Sequence, residues 1–398
     1  MAGVDARDAL DVCQAAAGFF DDGQEGGDVG RGVGAGRMGG MGRRAVLFVT
    51  RKYPPSRGGM EEFSSRLLEG FPGASYRVVL RGSQWGLPLL VARGLATAMR
   101  HRGRIGVVHL GDGLLAMFAP LFRAAAGAPV SVTLHGREVE RDRLAYRALV
   151  RRGLRYVDGP LIAVSAYTAG RARELFGVSA VVVHNGVDTV RFTDGPRATD
   201  AAGARARLGL TPEAKVVVTV GRLERRKGVA WFIGHVLPGL PSDVVYLVAG
   251  DGPHREAVAE AAAGDARVRL LGLCSDEAIE DLYACADLFV APNIRVPRDP
   301  EGYGIAPAEA AAAGAPVLVA DLQGLSDAAA ECGVPAVAPE DVDAWVSAVR
   351  RALDEPRWAV AQRPPRTWAA VAADYARLFE TLTDVERRDR ARWASPKT

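Results

Sequence analysis

The chain has 398 residues, of which 48% are hydrophobic and 24% charged, and its formal net charge is +3. At roughly 100–200 residues per domain, this length suggests two or three domains, large enough to bury their cores without disulfides or structural metal. The small net charge gives no support to nucleic acid as a main partner, and no apolar run approaches the ~18 residues that a membrane-spanning helix needs.

Residues 1–43 are rich in Gly, Ala and Asp and lack strand periodicity, which reads as a disordered tail. Early acids at Asp5, Asp8 and Asp11 argue against a secretory signal. Gly34, Gly36 and Gly39 spell G-x-G-x-x-G, but the dinucleotide fingerprint needs a preceding strand, and here the glycines follow coil. Met38 and Met41 stand just before the first strand and read as candidate alternative translation starts. The four cysteines, Cys13, Cys274, Cys285 and Cys332, form no C-x-x-C pair. Cys274 and Cys285 read as buried thiols, and a reducing compartment fits best.

From Ala45 onward, short apolar runs alternate with longer helical patterns. The strands are expected at Ala45–Thr50, Tyr76–Leu80, Val107–Leu110, Val130–Leu134, Leu161–Val164 and Val181–Val183, then at Lys215–Val220, Val244–Ala249, Val268–Leu271, Leu288–Ala291, Val317–Ala320 and Pro335–Val337. Near-continuous Val, Leu and Ala runs are strands buried on both faces, as in parallel α/β sheets. Twelve strands exceed one ordinary doubly wound sheet, so two such domains are expected, at 44–192 and 211–362, with 193–210 as the linker. Two sheets facing each other form a cleft, and α/β sheets bind ligands at the carboxyl ends of their strands. Trp368, Tyr375, Leu378 and Phe379 recur at helical spacing in the last segment, 363–398, and read as packing residues.

Several strand ends carry chemistry. After Thr50 the chain reaches Gly58-Gly59, an anion nest at a helix start or a plain turn. After Val220 come Gly221-Arg222 and Lys227-Gly228, where Arg222 and Lys227 suit two cations converging on phosphates. Arg225 and Arg226 in the same loop read as solvated. Gly250-Asp251-Gly252 is a strand-to-helix turn, as readily structural as nucleotide-binding. Glu301-Gly302-Tyr303-Gly304 leads through Pro307 into a helix holding Glu309. The backbone amides of Tyr303 and Gly304 are expected to point into the cleft, with Glu301 within reach of sugar hydroxyls and Glu309 of a ribose. Asp341-Val342-Asp343 stands at a helix start and reads as a cap, not a metal site.

These residues, with His135-Gly136, Ser165 and His184-Asn185-Gly186-Val187-Asp188, resemble glycosyltransferase family 4, whose members are retaining enzymes of the GT-B fold. The resemblance runs from about Ala45 to the last long helix. It implies two facing Rossmann-like doubly wound domains with a cleft between them. The first is acceptor-side and the second binds the nucleotide-sugar, with a last helix crossing back to the first. It implies a retaining transfer from a UDP-sugar or GDP-mannose to a glycan, lipid-linked or small-molecule acceptor, with neither cofactor nor metal. His135, Arg222, Lys227 and Glu301 would be catalytic, and Gly58, Gly59, Arg222, Lys227, Gly302, Tyr303, Gly304 and Glu309 would bind donor. Localisation would be cytoplasmic or at the inner membrane face, where the basic region Arg141–Arg155 could dock to anionic lipid. A degenerate nucleotide-sugar-binding subunit and a GT-B sugar-nucleotide epimerase are the alternatives. Three features depart from the family pattern. The first domain is short, Glu138 stands where an Asp is common, and an extra stretch, Asn293–Pro300, is expected to overhang the donor pocket.

Overall fold

The computed structural model describes residues 44–56, 58–82, 84–141, 143–195 and 200–394. The readings made for 1–43, including the tail, the glycine fingerprint and the start codons, lie outside the described residues. The described chain forms two compact units. The first comprises the residues up to Val164, Thr168–Val183 and the chain from Ala369 on; the second comprises Ser165–Tyr167 and His184–Trp368. The chain thus passes into the second unit at Val183/His184. The segment read as a linker, 193–210, belongs to that unit and holds a short helix, Ala201–Arg207, capped by Asp200.

In the first unit, β1 (Ala45–Thr50), β2 (Ser75–Val79), β3 (Ile105–Leu110), β4 (Val130–Leu134), β5 (Leu161–Ala163) and β6 (Val181–Val182) form one sheet in the order β2-β1-β3-β4-β5-β6. All its pairings are parallel. Every residue of β1, β3 and β4 is buried, as the unbroken apolar runs require. Helix Leu87–Arg100 packs through Leu90, Val91, Gly94 and Ala98. A Cβ on Gly94 would stand 2.8 Å from the Phe122 ring, so glycine lets helix and ring meet. Burying a side chain the size of Phe122 contributes roughly 1.5–3 kcal/mol. The last helix, Trp368–Ala394, sends Tyr375 and Phe379 into this core, where both rings meet His109.

In the second unit, β7 (Lys215–Val220), β8 (Val244–Ala249), β9 (Val268–Gly272), β10 (Leu288–Ala291), β11 (Val317–Ala320) and β12 (Ala336–Val337) are ordered β12-β11-β10-β7-β8-β9, again all parallel. Strands thus form at all twelve expected runs, with ends displaced by a residue or two. Each sheet reverses its order once, between β1 and β3 in the first unit and between β7 and β10 in the second. Side chains on the loops leaving those strands converge at a switch point, where doubly wound sheets hold their ligands.

Candidate active site

In the second unit the loops leaving β7 and β10 are locked together by close backbone approach. Gly228 adopts φ 68°, and a Cβ there would lie 1.8 Å from the Pro292 carbonyl oxygen, so only glycine fits. The Ile294 amide donates to the Arg226 carbonyl at 2.9 Å. On the other side, a Cβ on Gly250 would strike the Gly221 carbonyl at 1.9 Å, and one on Gly252 the Leu223 carbonyl at 2.4 Å. Gly250-Asp251-Gly252 is therefore the tight turn against which the Gly221–Leu223 loop is folded.

This locking brings Lys227 onto Glu301. The Lys227 Nζ lies 2.6 Å from Glu301 Oε2, the Arg226 Nε lies 3.5 Å from the same oxygen, and Asn293 Nδ2 donates to it at 3.1 Å. Burial opposes the charge on Glu301, but Lys227, Arg226 and Asn293 outweigh it and hold the carboxyl at about 2. Arg226 also meets Glu224 and lies 3.3 Å from Asp299, so the reading of this arginine as solvated is corrected: it is a half-buried strut between three carboxylates. Arg225 is exposed, as expected. Arg222 does not join Lys227. Its side chain is 55% exposed and 3.6 Å from Glu224.

The loop Glu301–Gly304 lies against helix Gly324–Cys332. The Glu301 amide donates to Gln323 Oε1 at 2.7 Å, and Gln323 itself has φ 54°. Gly304, φ 93°, faces Leu325, and a Cβ on Gly324 would strike the Gly302 carbonyl at 2.1 Å. The Tyr303 side chain is buried; its hydroxyl donates to Glu331 Oε2 at 2.7 Å and its ring stacks on His184. The Tyr303 side chain is therefore taken up inside the unit, contrary to any role for it in an open site. Burial pushes the Glu331 carboxyl up, but hydrogen bonds from His184 and Tyr303 and the charge of Arg366 bring it below its ordinary value. Glu309 sits in helix Ile305–Ala312 and accepts from the Tyr283 hydroxyl at 2.9 Å. Asp341 caps helix Val342–Asp354 by accepting from the Ala344 amide, as its position predicts.

The first unit assembles its own group at the β1/β3 switch point. Gly59 opens helix Gly59–Gly70 with Gly58 as its cap, and Lys52 reaches Glu61 at 3.1 Å. Arg51 and Asp112, on the loops leaving β1 and β3, form a buried ion pair at 2.8 Å. His135, just past β4, is buried; its Nε2–H donates to the Gly111 carbonyl at 3.0 Å and its ring meets Phe63 edge-on. The His135 amide donates to Glu138, so the glutamate anchors this loop. Sequence reasoning missed Arg51, Asp112, Asn293 and Gln323, which belong to no motif and gain their partners only through the fold. Among the cysteines, Cys285 is buried as expected, while Cys274 is only half-buried.

Comparison with known proteins decides the family. Residues 214–355 match the model described as Glycosyl transferases group 1, and 41–191 match Glycosyltransferase Family 4. The GDP-mannose-dependent alpha-(1-6)-phosphatidylinositol monomannoside mannosyltransferase of Mycolicibacterium smegmatis is 30% identical over 368 residues, covering 81% of this chain and 93% of that protein. The chain belongs to glycosyltransferase family 4. Another relative is the lipopolysaccharide core biosynthesis mannosyltransferase LpsB of Rhizobium meliloti, 34% identical over 239 residues, covering 56% of this chain and 62% of LpsB. Among solved structures, Anabaena HepE in complex with UDP has the same fold, with a TM-score of 0.66, 18% identity, and coverage of 87% of this chain and 99% of HepE. This family 4 protein is a glycosyltransferase of the GT-B fold.

Proposed function

We propose that this glycosyltransferase transfers mannose from GDP-mannose, with retention of configuration and without metal, to a lipid-linked polyol acceptor. The observation that carries the reading is the Lys227–Glu301 pair at the β7/β10 switch point, a cation and a sugar-reading carboxylate held 2.6 Å apart. Lys227 stabilises the leaving diphosphate and Arg222, free to swing in from solvent, adds a second cation. Glu301 holds sugar hydroxyls and Glu309 the ribose. Gly58, Gly59 and the backbone of Gly302, Tyr303 and Gly304 approach the donor, and His135 acts beside the reacting carbon. The acceptor oxygen attacks the face that the leaving group departs from. The sugar–phosphate bond breaks as the new glycosidic bond forms, and the acceptor proton passes to the leaving phosphate oxygen.

Mannose is supported by the names of the M. smegmatis relative and of LpsB, and guanine by the first of them. A UDP-sugar is the second reading, supported by the HepE complex. Thermal shift with GDP, UDP, ADP and TDP, with and without EDTA, separates the two, since a ligand of the folded state raises the melting temperature with the logarithm of its excess. Turnover of GDP-mannose, with the product anomer read by NMR, tests the rest. An inverted product, or turnover abolished by EDTA and restored by magnesium, defeats the corresponding part.

The lipid part of the reading implies peripheral docking at a cytoplasmic membrane face. Among the described residues no helix is long and apolar enough to span a membrane. The Arg141–Arg155 region shows Leu144 exposed beside Arg143 and Arg151. Helix Leu87–Arg100 adds exposed Leu89 and Met99 next to Arg93 and Arg100. Binding to anionic vesicles that salt weakens is expected in co-sedimentation, and equal recovery with and without such vesicles defeats it.

A further inference from the structure

We infer that Tyr303, His184 and Glu331 are positioning residues that hold the Glu301–Gly304 loop in shape for the donor sugar and fasten it to the segments by which the chain enters and leaves the second unit. The inference rests on the reading of Glu301 as a donor-sugar ligand. The loop itself has little to hold it, since glycines flank Tyr303 on both sides and Gly304 is in the left-handed region at φ 93°. Its order must come from side chains, and helix Gly324–Cys332 supplies them at both ends. At the start of that helix, Gln323 accepts from the Glu301 amide, and the Gly324 amide donates to the Glu301 carbonyl at 3.2 Å. At its end, Glu331 accepts from the Tyr303 hydroxyl at 2.7 Å.

The same carboxylate oxygen, Glu331 Oε2, is 2.6 Å from His184 Nδ1. A carboxylate only accepts, so Nδ1 carries the proton and the tautomer is set. The His184 and Tyr303 rings stack with centroids 5.3 Å apart. His184 is the first residue after the chain crosses at Val183, and Arg366, whose Nε lies 4.0 Å from Glu331 Oε1, comes just before it leaves at Trp368. The two crossings are also bonded to each other. The Val187 amide donates to the Arg366 carbonyl at 2.8 Å, and a Cβ on Gly186 would stand 2.6 Å from the Trp368 amide nitrogen. Glu331 is thus a group on which the entering segment, the leaving segment and the donor loop all close. The His-Asn-Gly-Val-Asp run contributes through its first residue, which fixes the loop.

The test uses the full chain carrying Tyr303→Phe, Glu331→Gln and both together, with donor KM and kcat, and with the affinity of free nucleoside diphosphate by calorimetry. Loosening the loop displaces Glu301, which reads the sugar, and spares the ribose and phosphate contacts. Each single variant should raise donor KM about tenfold while free-nucleotide affinity changes less than about twofold. The double variant should fall short of the sum of the two, because the Tyr303–Glu331 contact is shared by both changes. A merely structural role would lower the folded fraction and depress donor and nucleotide binding alike. That outcome, or unchanged donor KM in either variant, overturns the positioning role; Tyr303→Phe, which deletes one oxygen, keeps the test open if Glu331→Gln does not fold. Wild-type protein that turns over no nucleotide-sugar would overturn the functional reading and the positioning role with it.

Discussion

The two sheets reverse their strand order at different places and put ion pairs of different character there. At the β1/β3 switch of the first unit, Arg51 and Asp112 are sealed, with side chains 10% and 0% exposed. At the β7/β10 switch of the second, Lys227 is 19% exposed beside Glu301, and Arg222 stands 55% exposed nearby. A sealed pair cannot exchange its partner for a ligand; a pair with one open side can. The first is a fixed part of its unit's interior, and the second is the pair that the proposed function assigns to the donor.

Breaking the sealed pair should give the largest effect. Asp112→Ala removes the hydrogen-bonded counter-charge of the buried Arg51 guanidinium and the acceptor of the Leu114 amide. Uncompensated buried charges typically cost about 3–5 kcal/mol. Denaturant unfolding should show that loss, while the fraction that remains folded binds nucleoside diphosphate normally. Reduced nucleotide affinity in folded protein would show that the pair belongs to the ligand site after all.

Lys227→Ala should do the reverse. Removing one preorganised donor to a developing charge lowers turnover by about 10²–10³-fold. Affinity for nucleoside diphosphate should fall too, with a smaller change in melting temperature than Asp112→Ala brings. Near-wild-type kcat would remove Lys227 from the phosphate clamp and leave Arg222 as the first candidate.

Acid should separate the units. His109 lies between Ser131 and Thr133, and burial, with the nearby His135, pushes its imidazole from 6.5 down to about 3. The unfolded chain therefore binds a proton there before the folded one does, and stability falls as pH drops from about 6.5 towards 3. By pH 5 this amounts to about 2 kcal/mol. Glu301, held at about 2 against an ordinary 4.5, adds stability that is present above 4.5 and lost only below it. Calorimetry between pH 7 and 5 should show the transition of the first unit moving down while that of the second stays, and His109→Gln should flatten the shift. A second-unit transition that moves first would contradict both assignments.

Much of this was legible in the sequence, and the boundary of legibility is physical. Val-rich runs such as Ala45–Thr50 and Lys215–Val220 announce strands because burial on both faces needs no partner to be specified. Gly250-Asp251-Gly252 announces a tight turn for a similarly local reason, whereas the approach of Gly228 to Pro292 appears only in the fold. Which charge meets which is a long-range matter. Arg226 and Arg225 are neighbours in a basic loop, yet one is half-buried against Glu301 and the other faces solvent. Gln323 and Asn293 reach Glu301 from separate strand ends, and no periodicity records that meeting.

The smallest expected effect concerns Glu309. Its carboxylate accepts from the Tyr283 hydroxyl at 2.9 Å, so part of its capacity is already used inside the unit. A carboxylate has two oxygens and about four acceptor sites, so the tyrosine takes one of them and a ribose would compete for the others. Glu309→Ala should weaken donor and free nucleotide alike, by about tenfold, because the ribose is common to both. Tyr283→Phe should weaken both by a few-fold, since it frees the carboxylate to turn without removing it. This pattern is the complement of the one expected at Tyr303, where donor binding suffers and free nucleotide does not. If Glu309→Ala lowered donor affinity alone, the carboxylate would be reading the sugar, and the division of labour between Glu301 and Glu309 would have to be reversed.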